Sequence, residues 1–347
     1  MTPEAEAGSL AARLRTALAL MDPTDAPTVR LEQLVRQGLD QLPLPGHGHT
    51  LQRWQALCVV AEHDLSLAKL FEGHTDALAV MAELTPFETP VAGATWGMWA
   101  AEAPDASVEV QTAVSGSVHL GGTKRWCSGA DGLSHGLLTA WWPDNRGPQL
   151  MKVCMDQPGV QTSRAGWHAV GMAASASVDV AFDNAVGEPV GPAGAYLDRP
   201  GFWHGSAGIA ACWHGGAVAL ASVLQRALVQ APPSGRHVFR LAALGKVGVA
   251  LQSSAALLRE TARWIDDHPS EDSRAMALRV RLATEASATL VLDEVGRALG
   301  ATPFCRDASF ARMAADLPVF LRQSHAERDF AALGEQLTRP GGPSWAL

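Results

Sequence analysis

The run Gly121-Gly-Thr-Lys-Arg-Trp126-Cys-Ser128-Gly-Ala130 places a tryptophan and a small hydroxyl residue two positions apart at the end of a strand-like segment. Indole offers a wide flat face on which a ring cofactor can lie, and the serine adds a hydrogen-bonding group beside it. Flat surface is abundant, with eleven tryptophans against a single tyrosine, Tyr196. A second run, Gly171-Met-Ala-Ala-Ser-Ala-Ser-Val-Asp179-Val-Ala-Phe182, reads as a strand entering a helical region. Proton-transfer groups gather near the C-terminus, where His325 and Glu327 sit in a charged stretch from Arg322 to Asp329. Imidazole titrates in a range useful for moving protons near neutral pH. His63 and His74 are expected on a helix facing a substrate cleft, and His204 and His214 at a helix-bundle interface. They do not recur at metal-ligand spacing, so no metal site is expected. No G-x-G-x-x-G or G-x-x-x-x-G-K follows a strand, which argues against a Rossmann or P-loop unit.

The elements that must position these groups change character twice. Leu10, Leu14 and Leu18, then Leu31, Leu34, Val35 and Leu39, recur at helical spacing. Pro23, Pro27, Pro43 and Pro45 fall in the intervening turns. Leu51 to Leu84 reads as helix with a break near His63-Asp64, where Asp64 or Ser66 can cap the second half. From about Ala94 to Phe182 the period becomes two. Strands are expected at Val108–Thr112, Thr123–Ser128, Gly136–Trp142, Gln149–Met155 and Val178–Phe182, with turns at Ser115-Gly116 and Gly121-Gly122. Such short, evenly spaced strands imply a small antiparallel barrel or sandwich. Beyond Pro200 the pattern is helical again. Ile209–Val229 is small and apolar, and Pro232-Pro233-Ser234-Gly235 is a break. Leu244, Val247, Leu251 and Leu258 mark one face of a helix that ends at Pro269. Ser270 can cap the next, which runs to Leu299 and stops at Gly300. A last helical region is expected over Asp307–Leu337, and a loose tail after it.

The chain has 347 residues, 47% hydrophobic and 18% charged, with net charge −8. That composition excludes a disordered class and implies two or three structural units. Without a Lys/Arg block, nucleic acid and anionic membranes are not expected partners. No run approaches the length of a spanning helix, and the N-terminus lacks a signal-peptide pattern. The five cysteines, Cys58, Cys127, Cys154, Cys212 and Cys305, form no C-x-x-C pair, which fits a reducing cytoplasm.

The order helix, barrel, helix resembles the acyl-CoA dehydrogenase family from about Leu51 to Gly334. The resemblance implies an α+β fold with an N-terminal helical domain (1–93), a middle antiparallel β-barrel (94–190), a C-terminal four-helix bundle (191–337) and a tail (338–347). It also implies bound FAD, an acyl thioester substrate on CoA or a carrier protein, and a homodimer or homotetramer. A Thr-Glu-Pro motif that contacts the flavin in the family is matched in part by Ala101-Glu102-Ala103-Pro104, with Ser107 in register. Met98, Ala100, Ala101 and Ser107 are thereby candidate flavin neighbours. Trp126 takes the place of a tryptophan that packs on the isoalloxazine, and Ser128 that of a threonine near flavin N5. Arg297 and Gly300 fall where the family reaches the flavin nucleotide of a neighbouring subunit, and Arg236-His-Val-Phe239 echoes a pyrophosphate element.

The resemblance fails at the base. α,β-Desaturation needs a group that takes the proton beside the carbonyl. The family's glutamate position is occupied by Ser324, and its alternative site on the first bundle helix reads Gly205-Ser206-Ala207-Gly208. Three readings stay open. His325 or Glu327 serves as base in a dehydrogenase. Alternatively the flavin is reduced by a separate reductase and reacts with oxygen in a monooxygenase, or the protein binds an acyl thioester or a partner without chemistry.

Overall fold

A computed structural model describes residues 8–114, 117–144, 146–230, 237–339 and 345. The turn expected at Ser115-Gly116, the break at Pro232–Gly235, and Arg236 lie outside the described residues. Among the described residues four helices come first: α1 (Leu10–Ala19), α2 (Pro27–Arg36), α3 (Thr50–His63) and α4 (Leu65–Leu84). Leu14, Leu18, Leu31 and Leu34 are buried, as their spacing on one face requires. Asp64 separates α3 from α4. Its backbone is extended, and its Oδ1 accepts a hydrogen bond from Leu67 N at 2.8 Å, so Asp64, not Ser66, is the cap. Its Oδ2 holds the buried Arg30 of α2 at 2.9 Å.

His74 does not face a cleft. It is fully buried, with Nε2 3.2 Å from Asp40 Oδ2, while Nδ1 accepts from the backbone N of Trp96 at 3.1 Å. It joins the helices to the first strand, and this internal pairing satisfies both ring nitrogens.

The strands are β1 (Trp96–Trp99), β2 (Val108–Val114), β3 (Ser117–Ser128), β4 (His135–Trp141), β5 (Pro148–Cys154), β6 (Val160–Ser163) and β7 (Ser177–Val190). They form one sheet in the order β1-β4-β2-β3-β7-β5, with β6 on β7, and it curls back on itself through β4–β5. Most pairings are antiparallel, but β1–β4 and β2–β4 are parallel, which the expectation of a purely antiparallel barrel missed. Gly121-Gly122 is not a turn. The pair sits inside β3, next to a register shift against β7. The run from Gly171 does not lead from strand into helix: it is a loop with a 3₁₀ turn at Ala173–Ser175, and the strand that follows continues to Val190.

The remaining helices are α5 (Ala195–Asp198), α6 (Gly201–Gln230), α7 (His237–Asp267), α8 (Arg274–Leu299), α9 (Ala301–Arg306), α10 (Ala308–Phe320) and α11 (Glu327–Leu337). Ser273, three residues beyond the expected Ser270, precedes α8. The expected last helical region is broken by a 3₁₀ turn at Leu321–Gln323 and by Ser324 to Ala326. Contrary to the sequence expectation, α6 and α7 are long and apolar enough to cross a membrane by length and composition. The small-residue-rich α6 is a core helix packed on α3 and α8. α7 keeps Val238, Phe239, Leu241 and Val249 on an exposed face.

Asp64 thus caps one helix and neutralises a buried guanidinium on another. Asp64→Ala should lower the unfolding free energy by about 3–5 kcal/mol in urea titrations, because it strands Arg30 and an orphan amide. A loss below about 1 kcal/mol would show the pair to be incidental.

Candidate active site

A cleft of about 780 Å³ opens where the ends of β1 and β3, the 171–177 loop, α4, the start of α6 and the turn after α10 converge. A second hollow of about 940 Å³, between α1, α3, α6 and α7, contains none of the expected site residues apart from His214.

Trp126 stands on the cleft's sheet wall. The β3–β7 register shifts between Lys124 and Cys127, and Trp126 adopts φ 59° within that irregularity. A bulge of this kind re-aims one side chain, and the Trp126 indole is left 52% exposed toward the cleft. Both flanks are fixed. Buried Lys124 donates from Nζ to Glu102 Oε1 and to Thr139 Oγ1, each at 2.8 Å. Trp99 Nε1 donates to Ser128 O at 3.1 Å. The Trp99 ring packs directly over Gly97 and Gly136, where an added Cβ would clash with it. Beside the indole, Ser128 Oγ is 2.7 Å from Ser177 Oγ, which is 3.1 Å from Ser175 Oγ.

The loop carrying Ser175 is clamped to α10. Asp316 Oδ1 accepts from Met172 N at 2.5 Å, and Gly171 sits so close that a Cβ would meet Ala315 O at 2.0 Å. Burial raises the Asp316 carboxyl to about 6. Among the described residues, five non-glycines have positive φ. Trp126, Met172, Ala176 and Ala326 all line the cleft or adjoin residues that do. Strain of this kind persists where surrounding structure enforces it.

Of the expected site residues, Met98, Ala100, Ala101, Trp126, Ser128 and His325 line the cleft. Ser107 is exposed outside it, and the Glu102 side chain is committed to Lys124 and Thr139. Arg297 lies on the surface, paired with Asp293 at 3.1 Å. Gly300, at φ 69°, ends α8 in the open. Glu327 is exposed in the first turn of α11 and does not line the cleft. Ser324 is buried, and its Oγ accepts from Ala326 N at 3.2 Å. His325 is 57% exposed, with Nδ1 3.4 Å from Asp329 Oδ1. The backbone N of His325 donates to the other oxygen of Asp329 at 3.0 Å. Behind it, buried Arg281 donates to Ser206 O at 3.0 Å and to Gln323 O at 2.7 Å, tying α6 to the turn that carries His325.

Sequence reasoning missed the opposite wall. Lys69, Glu72 and Asp76 on α4, with Tyr196 and Arg199, also line the cleft. Lys69 Nζ donates to Glu72 Oε2 and Arg199 to Glu83 Oε2, at 2.8 and 2.7 Å. Burial raises the Asp76 carboxyl, and Arg199 partly opposes that rise. The signal was present as charges at i, i+3 and i+7, which fall on one face of α4.

No protein-family model matches the sequence, nor does any curated protein. Solved structures do match over nearly the whole chain. The dibenzothiophene monooxygenase TdsC of Paenibacillus sp. A11-2, in complex with FMN and indole, is 18% identical with TM-score 0.77, over 97% of each chain. KijD3, in complex with FMN and a dTDP-linked 3-amino-4-keto sugar, is 19% identical with TM-score 0.77, over 98% of this chain and 95% of that one. The methanesulfinate monooxygenase MsuC of Pseudomonas fluorescens is 19% identical with TM-score 0.72, over 100% and 99%. The fold is acyl-CoA dehydrogenase-like.

Within this acyl-CoA dehydrogenase-like fold, the exposed, strained indole gives a direct test. Trp126→Gly removes a positive-φ cost of about 1–2 kcal/mol, which offsets the packing lost from the covered half of the indole. Its melting temperature should hold or rise, whereas a loss above about 1 kcal/mol would make Trp126 a structural residue.

A buried and a half-buried histidine set an acid limit. Burial holds His204 and His214 neutral, each with its pKa lowered to about 4. The unfolded chain takes up those protons near pH 6.5, so their contribution is full above that value and lost as pH falls toward 4. Each should remove about 2 kcal/mol of stability between about pH 7 and about pH 5. His204→Leu should flatten the slope by one such share, and an unchanged slope would refute the assignment.

Proposed function

We propose that the protein is a flavin-dependent monooxygenase whose flavin is reduced by a separate reductase. The exposed Trp126 indole, thrust into a 780 Å³ cleft from a strained backbone, carries this reading. The cleft fits the group. Its volume lies within the roughly 300–1,000 Å³ typical of cofactor pockets. A flat ring would cover the indole, and the Ser128 and Ser177 hydroxyls stand at its edge. In this reading Trp126 holds the ring face, and Met98, Ala100 and Ala101 flank it. FMN, bound in the TdsC and KijD3 structures, suffices for this cleft. The larger FAD would call on Arg297, Gly300 and Arg236, the first two reaching the site of a neighbouring copy.

A bound reduced flavin supplies the electrons and the oxygen-activating centre for transfer of one oxygen atom to the substrate. The chain supplies the surroundings. Trp99, Trp167, Phe202 and Val319 make an apolar wall that limits water. His325, oriented by Asp329, can give or accept a proton at the cleft mouth. Monooxygenation is favoured over desaturation because Ser324, in the glutamate position, is buried and absent from the cleft lining. Monooxygenases of the same fold match end to end. Desaturation of an acyl thioester is the second reading, and Asp76 is the observation that favours it, as a carboxyl in the cleft with a raised pKa.

The two readings separate in one cuvette. Protein loaded with FMN or FAD should bleach with a flavin reductase and NADH, and should stay yellow when octanoyl-CoA is added without air. Anaerobic bleaching by octanoyl-CoA would establish the dehydrogenase instead, and failure to bind any flavin would remove both. His325→Ala should retain flavin yet lose at least about tenfold in turnover, and full turnover would release His325 from the role.

A further inference from the structure

The cleft is not uniform from end to end. The sheet side is aromatic and apolar, whereas the α4 side is lined by Lys69, Glu72, Asp76 and Arg199. The cations whose charge acts on Asp76 all hydrogen-bond to other groups. Lys69 holds Glu72 at 2.8 Å, Arg199 holds Glu83 at 2.7 Å, and buried Arg53 donates to Pro43 O at 3.3 Å. At the far wall Arg322 is taken by Glu285 at 2.6 Å, and His325 by Asp329. Only long-range charge and burial act on the Asp76 carboxyl, and no described residue hydrogen-bonds to it. α6 makes room for it, because Gly205 has no side chain where a Cβ would meet Asp76 Oδ1 at 2.7 Å. A half-buried carboxylate without a donor is costly, and a ligand that brings an N–H into reach recovers that cost.

We propose that Asp76 is the specificity-determining residue of this cleft and receives the protonated amine of a substrate whose apolar body lies along Trp99, Trp167, Phe202 and Val319. The proposal deepens the monooxygenase reading by naming its substrate class, a primary or secondary amine on an aromatic or aliphatic frame. The amine end lies at α4, and the body extends toward the Trp126 wall, where the flavin is placed.

The test is binding, which needs no turnover. Tryptamine, its neutral isostere 3-ethylindole and the anionic indole-3-propionate are titrated by calorimetry into the flavin-loaded wild type and Asp76→Asn. Tryptamine should bind the wild type at least about tenfold more tightly than 3-ethylindole, as a charge-assisted hydrogen bond allows. Indole-3-propionate should bind weakest, and Asp76→Asn should erase the tryptamine advantage while its melting curve stays cooperative. Equal affinity for tryptamine and 3-ethylindole in the wild type overturns the proposal, as does an advantage that survives in Asp76→Asn or no binding of tryptamine at millimolar concentration. Were Asp76→Asn unable to fold, the wild-type ranking alone decides. Flavin uptake without an amine preference sinks this inference and leaves the monooxygenase reading standing. An Asp76-dependent amine preference in protein that takes up no flavin does the reverse.

Discussion

The organisation of the cleft depends on one backbone irregularity, the β3 bulge that turns Trp126 outward at φ 59°. A tryptophan gains most from burial, and left-handed backbone disfavours any residue with a Cβ. Position 126 forgoes the first and accepts the second. The surroundings show how that is enforced. Lys124 is pinned by Glu102 and Thr139 on one side, Cys127 is buried behind, and Trp99 grips the Ser128 carbonyl on the other. The sheet supplies this rigidity because a shifted register cannot relax without flipping its neighbours to the wrong face.

The helices complete the cleft by equally local means. Asp64 and His74 lock the N-terminal helices to each other and to β1. Asp316 clamps the loop after Gly171, and Arg281 ties α6 to the turn bearing His325. Each is a buried polar group satisfied across two elements, the kind of contact that fixes a relative position more than it adds stability.

Much of the architecture was legible. Leucine spacing located the N-terminal helices, Asp64 marked the break between α3 and α4, and Gly300 ended α8. The change to period two found the sheet, and the Trp126–Ser128 run pointed to residues that line the cleft. The misses have physical reasons. A parallel β1–β4 pairing has no local turn signal, and Gly121-Gly122 looks like a turn because glycine serves bulges and turns alike. His74 read as a cleft residue because its partners, Asp40 and the Trp96 amide, are distant in sequence. Asp76 went unseen because a charge on a helix is ordinarily solvated, and the cleft wall that it joins, with Gly205 packed beside it, is built from elements distant in sequence.

The central claim is that the Trp126 indole forms one face of a flavin site. Diffraction from crystals grown with FMN tests it most directly. The account predicts the isoalloxazine in van der Waals contact with that indole, its edge toward Ser128 and Ser177. Flavin density elsewhere on the protein, or a cleft that stays empty at saturating FMN, would contradict it.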